Sequence, residues 1–180
     1  MTKPFLQSMF LIVILMMSIS AQAQSLWGET TVGMTPSEVI KIVEGSRLIQ
    51  DGSTLETGAK ELARLDDLRV VKELFKVRFY FIDDQLTQVT LNLTKERSFP
   101  LNLLIFQSLT DVLSSKYGKA ISRNIDSRTR LKTAYAHWVS DGTNINLQVI
   151  AVDDTPTSLN LNYQLHLASE KRLSTDAENL

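Results

Sequence analysis

Residues 75–93, FKVRFYFIDDQLTQVTLNL, decide the fold. Phe75, Val77, Phe79 and Phe81 alternate with Lys76, Arg78 and Tyr80, the period-two pattern of a strand with one face in a core. Asp83-Asp84-Gln85 supplies turn chemistry, and Val89, Leu91 and Leu93 then alternate with Thr90, Asn92 and Thr94. Two such runs around a short polar turn predict an antiparallel hairpin.

The pattern recurs toward the C-terminus. Ser98-Phe99-Pro100 opens a long helix on which Leu101, Ile105, Leu109, Val112, Leu113 and Tyr117 are expected to face inward, with Gly118 closing it. A short strand is expected over residues 120–126. Residues 131–140 lead into Asp141-Gly142, a strong hairpin-turn signal. Ile145, Leu147 and Val149 alternate with Asn144, Asn146 and Gln148. After a turn at Asp153-Asp154-Thr155-Pro156, Leu159, Leu161, Tyr163, Leu165 and Leu167 alternate with Ser158, Asn160, Asn162, Gln164 and His166.

Toward the N-terminus, Thr35-Pro36-Ser37-Glu38 is a capping box: Thr35 can accept the N3 amide proton and Glu38 can reach back. It starts a short helix carrying Val39, Ile40 and Val43 on one face, with Gly45 past its end. Residues 50–58 read as a loop. Residues 59–71 are ambiguous, because AKELARLDDL favours helix and spaces Leu62, Leu65 and Leu68 three apart, yet it runs directly into a strand. The order is helix, strands, helix, strands. It predicts an α+β fold of two helix-plus-antiparallel-meander units sharing a sheet, residues 24–95 and 96–168, with the helices packed on one face. A polar tail follows over 169–180.

Residues 1–23 are expected to be a cleaved secretory signal peptide. Lys3 precedes an unbroken apolar run over residues 9–17 (MFLIVILMM), and Ala21 and Ala23 give the small-x-small spacing of a cleavage site. A membrane span needs about 20 apolar residues, twice this run. Lys3 is the only charged residue lost, so the remaining 157 residues carry 18 Lys+Arg against 20 Asp+Glu. That balance argues against a dedicated nucleic-acid binder. The chain has no cysteine, so neither a disulfide nor a lipoprotein anchor is available. A soluble periplasmic protein without a membrane span after cleavage is the expectation, with release to the medium as the alternative.

Trp27-Gly28 and the stretch Val32-Gly33-Met34-Thr35-Pro36-Ser37-Glu38-Val39 resemble the G-M-T-x-x-E/Q-V opening of the small outer-membrane assembly lipoproteins and their tandem-repeat β-lactamase-inhibitor-protein-like relatives. The resemblance implies a helix followed by an antiparallel sheet that binds other proteins. The chain departs from the lipoproteins in lacking the anchoring cysteine and in having a second half.

Catalytic and metal signatures are absent from the sequence. His137 and His166 both lie mid-strand, and by alternation His166 sits on a polar face. Asp83-Asp84 and Asp153-Asp154 are expected to favour turns rather than to act as acid and base. No glycine-rich phosphate loop or G-x-S-x-G elbow occurs. No catalytic residue, metal ligand or cofactor is assigned. Trp27 and Trp138 read as core. The basic segment holding Arg123, Arg128, Arg130 and Lys132, with Asp126, reads as a solvated loop, the alternative being a docking patch for acidic groups.

The most informative surface is the polar side of the strands. Thr90, Asn92, Thr94, Asn144, Asn146, Gln148, Asn160, Asn162 and Gln164 are neutral hydrogen-bonding residues where a merely solvated sheet carries more Lys, Glu and Arg. Desolvating an amide costs less than desolvating an ion, so such a face suits reversible contact. The expectation is a non-enzymatic binding or accessory protein whose face, centred on Asn92, Asn144, Asn146, Gln148, Asn160, Asn162 and Gln164, meets a protein partner in the cell envelope. The rival is a small-ligand binder or hydrolase with a dispersed site.

Overall fold

The computed structural model describes residues 24–153 and 155–165. The expected hairpin is made by β3 (Glu73–Ile82) and β4 (Gln85–Leu93), with Phe75 opposite Leu93, Val77 opposite Leu91 and Phe79 opposite Val89. These six side chains are all buried. Asp83 and Asp84 turn the chain with φ of 49° and 58°, a left-handed conformation that aspartate tolerates better than most residues.

The first helix, α1 (Pro36–Ile42), starts as its sequence dictates. Thr35 Oγ1 accepts from the Glu38 amide at 3.3 Å, and Glu38 Oε2 accepts from the Thr35 amide at 2.8 Å. Val39 anchors it in the core. A two-residue strand, β1 (Arg47–Leu48), follows.

The ambiguous segment is a strand, β2 (Lys60–Val70), paired along β3. Its helical propensity is overridden by that pairing, since local preference is a weak prior against a long strand partner. The three-residue leucine spacing has a strand explanation. Leu65 opposes Val77 and Leu68 opposes Phe75, so three steps on β2 match two on β3. The extra residue is a bulge, which returns Leu68 to the core side.

The second helix, α2 (Phe99–Tyr117), buries Ile105, Leu109 and Leu113 as expected, together with Phe99, Asn102 and Phe106. Leu101 and Val112 do not face inward. Each is 49% exposed, because the buried arc centres on Asn102, Phe106 and Leu113, more than a quarter-turn away. The helix ends at Gly118, whose carbonyl accepts from Trp138 Nε1 at 3.0 Å, so the core tryptophan has its donor satisfied.

The remaining strands are β5 (Ser122–Asp126), β6 (Leu131–Ser140), β7 (Thr143–Val152) and β8 (Leu159–Leu165). All eight form one antiparallel sheet in the order β1-β2-β3-β4-β8-β7-β6-β5. The α+β class is as expected, and both helices pack on one face of the sheet over a single core. The expected division into two units is replaced by one continuous sheet. β4 pairs with β8 from Gln88–Gln164 to Asn92–Asn160, and the core residues on either side of that seam form one cluster. Residues 1–23, His166 and the tail from 169 lie outside the described residues.

Candidate functional site: the open face of the sheet

Among the described residues, one face of the sheet carries no helix, and the pairing register sets what stands there. Three rows of side chains cross it. The middle row runs Arg64, Arg78, Thr90, Asn162, Asn146, His137 and Ser122. On one side lie Tyr80, Gln88, Gln164 and Asn144. On the other lie Lys76, Asn92, Asn160, Gln148, Tyr135 and Asn124. All seven amide residues singled out from the sequence are therefore brought onto one surface, with Thr90 among them.

The amides are not fully solvated. Asn144 and Thr90 are buried at 3% and 6%, and the other six are half-buried. Five of the eight, Thr90, Asn92, Asn144, Asn146 and Asn160, bond to one another or to their neighbours. Asn92 Nδ2 donates to Asn160 Oδ1 at 2.6 Å, and Gln88 Nε2 donates to Thr90 Oγ1 at 3.0 Å. Tyr135 donates its hydroxyl proton to Asn146 Oδ1 at 2.9 Å. Burial raises the Tyr135 pKa, with a hydrogen bond to Ser122 acting the other way, so the phenol stays protonated and remains a donor. These bonds hold that part of the surface in place, and ordering side chains beforehand lowers the entropy cost of any contact they make.

His137 faces this surface, as the burial of Trp138 beside it requires. Its Nε2 is 3.1 Å from Asn144 Oδ1, and its ring stacks on Tyr135 with centroids 6.4 Å apart. It is half-buried and partnered.

Two features of the face were not picked out from the sequence. At the β2–β3 end, Glu61 is 1% exposed and held by Arg64 Nε at 2.5 Å and by Ser53 Oγ at 3.0 Å. Ser53 also shares a 3.0 Å hydrogen bond with the Tyr80 hydroxyl. The loop carrying Ser53 lies so close to β2 that a Cβ on Gly52 would fall 1.9 Å from the Glu61 carbonyl oxygen, so only glycine fits. At the opposite corner, Ile150 and Val152 continue the β7 alternation beyond Gln148, and Leu131 stands directly opposite Val152. These three aliphatics are about half exposed, at 51%, 51% and 52%. Continuing the period-two count past Gln148 would have found this corner. The ion-pair cluster draws on three separate segments and leaves no local pattern.

The other sequence candidates go elsewhere. Asp83 and Asp84 form a tight turn, and Asp153 pairs with Arg130 through two hydrogen bonds of 3.0 and 2.9 Å, while Asp154 lies outside the described residues. Arg128 pairs with Asp126 at 3.3 Å, so two of the cations in the basic segment have local counter-ions. Trp27 packs edge-on against Phe79, with centroids 6.0 Å apart. A half-open cleft of about 160 Å³ lies between Leu26, Tyr117, Asp141 and Ile145. That is below the ~300–1,000 Å³ of ordinary small-molecule sites. Among the described residues, no three His, Asp or Glu side chains gather where they could hold a metal ion, and no helix is long and apolar enough to cross a membrane.

No family model, curated protein or solved structure matches this chain.

Proposed function

We propose that this chain is an exported, non-enzymatic binding or accessory protein of the periplasm, and that the open face of its sheet docks a protein partner of the cell envelope. The observation that carries this reading is the register. It collects Asn92, Asn144, Asn146, Gln148, Asn160, Asn162 and Gln164 onto one surface, free of helix among the described residues, that ends in the exposed corner of Leu131, Ile150 and Val152. Interfaces combine apolar patches with hydrogen-bonding groups and avoid charge at their centre, and this surface has that composition. The resemblance of the Gly33–Val39 stretch to the small outer-membrane assembly lipoproteins points the same way, toward a sheet used for protein–protein contact.

Photo-cross-linking in envelope preparations tests the use of the face. A benzophenone side chain at Gln148, half-buried on the open face, should yield a discrete protein adduct. The same group at Ser108, exposed on α2, should not. Adducts from Ser108 alone would place the interface on the helix side and remove the open face from consideration.

A further inference from the structure

The structure assigns a specific chemistry to one end of this face: we infer that Arg78 receives a carboxylate from the docked protein partner. The inference rests on the docking reading above and deepens it. Arg64 and Arg78 stand directly opposite one another on β2 and β3, an arrangement that repels unless an anion intervenes. Glu61 is the anion at hand, but its oxygens are committed elsewhere. Oε1 accepts from Arg64 Nε, and Oε2 accepts from the Ser53 amide and hydroxyl. Arg78 Nε stays 4.0 Å from Glu61 Oε2, too far for a hydrogen bond. That Nε is buried without a hydrogen-bond partner, although the side chain as a whole is 30% exposed and can be reached.

One carboxylate and two guanidinium groups leave one positive charge in excess, and Arg78, whose Nε stands at 4.0 Å without a hydrogen bond, is the more weakly held of the two cations. An unpaired buried donor on a charged group is costly, and a planar carboxylate brought to the exposed part of this guanidinium offsets that charge with charge-assisted hydrogen bonds. Along the middle row the next residues are Thr90, Asn162 and Asn146, all neutral. Lys76, two positions along β3 on the same face, is the other cation beside it, so positive charge is confined to this end while Asn92, Asn160 and the rest of the amide surface are neutral. That distribution calls for an acidic side chain at this end of an otherwise uncharged contact. A polyanion such as a nucleic acid or a lipid headgroup array would need several cations together. Asp66 is engaged by Arg47 at 2.9 Å and does not compete for Arg78.

The test uses a random peptide library displayed on phage, panned against the intact wild-type chain. Retained peptides should share an Asp or Glu at a fixed position. Their affinity should fall roughly tenfold or more when that acid is replaced by its amide, or when Arg78→Gln is used as the target. Arg78→Lys, which keeps the charge and loses the fork, should recover only part of the binding. Arg78→Gln leaves every hydrogen bond of Glu61 in place, so its melting temperature should stay near that of wild type. Binders that are blocked by Gln148→Arg but indifferent to Arg78→Gln would overturn the carboxylate inference and leave the docking face standing. Binders indifferent to both variants would overturn both.

Discussion

Asn146 and Asn162 stand directly opposite each other on β7 and β8, and Tyr135 donates a hydrogen bond to the first of them at 2.9 Å. Charge placed on this pair is therefore not independent. Side chains directly across an antiparallel pair approach to about 5 Å, and like charges there repel. Asn146→Glu and Asn162→Glu should each be tolerated singly. Together they should cost about 0.5–1 kcal/mol more than the sum of the two. Urea unfolding of the four-member cycle measures this, and strict additivity would mean that the two side chains do not meet.

Glu61 should give the protein an acid-sensitive step. Burial pushes its pKa up, but hydrogen bonds from Arg64 and Ser53 outweigh burial and hold it below the usual carboxylate range. A group whose pKa is lower in the folded state contributes stability that is fully present above its unfolded value of about 4.3 and is lost as pH falls through the folded value. Glu61→Gln should be less stable than wild type at neutral pH, by about 1–3 kcal/mol. Its stability should fall less steeply below pH ~4.3. Melting curves of both proteins from neutral to acid pH decide it, and parallel acid limbs would show that Glu61 is not the titrating group.

The β2–β3 turn is made by Val71 and Lys72, at φ of 44° and 68°. Neither residue type prefers the left-handed region, which costs an ordinary residue about 1–2 kcal/mol. Lys72 is exposed, so Lys72→Gly relieves this strain without loss of packing and should stabilise the protein by roughly 0.5–1 kcal/mol. Lys76→Gly, in the middle of β3, should destabilise it by a similar amount. Equal losses for both would contradict the assigned turn.

The same turn explains what the sequence hid. Val71-Lys72 carries no turn signature, so the end of β2 could not be marked, and the bulge before Leu68 gave its leucines a helix-like spacing. The hairpin from Phe75 to Leu93 and the capping box at Thr35 were legible because each is written in local chemistry. The amide face was legible for the same reason, as alternation assigns each strand residue to a side. The pairing of β4 with β8 was not, because it joins residues some 70 positions apart with nothing local to announce it. The inward arc of α2 was misjudged at Leu101 and Val112, because exposed leucines and valines flank the buried stripe and blur its edges.

Gln24 is the residue expected to become N-terminal after export. Its side-chain Nε2 donates to Thr143 Oγ1 at 3.1 Å, and Thr143 Oγ1 donates to the Ser25 carbonyl at 2.6 Å. Cyclisation to pyroglutamate requires the α-amine to attack the Gln24 amide carbon and expel ammonia, so an amide held by Thr143 should react slowly. In exported protein, Thr143→Val should accelerate the loss of ammonia seen by intact mass. Equal rates in the folded wild type and the variant would show that the hydrogen bond does not restrain the amide.

The most direct test of the docking face is capture from envelope extract by three forms of the chain: wild type, Asn162→Glu at the centre of the face, and Ser108→Glu on the exposed side of α2. A carboxylate on the docking surface must be desolvated on binding without a counter-ion, which costs several kcal/mol. The single substitution on a half-buried strand position should shift stability by less than about 1 kcal/mol. The account predicts that wild type and Ser108→Glu retain the same partner and that Asn162→Glu loses it while melting within a few degrees of wild type. Retention of that partner by a folded Asn162→Glu variant, at wild-type levels, would contradict it.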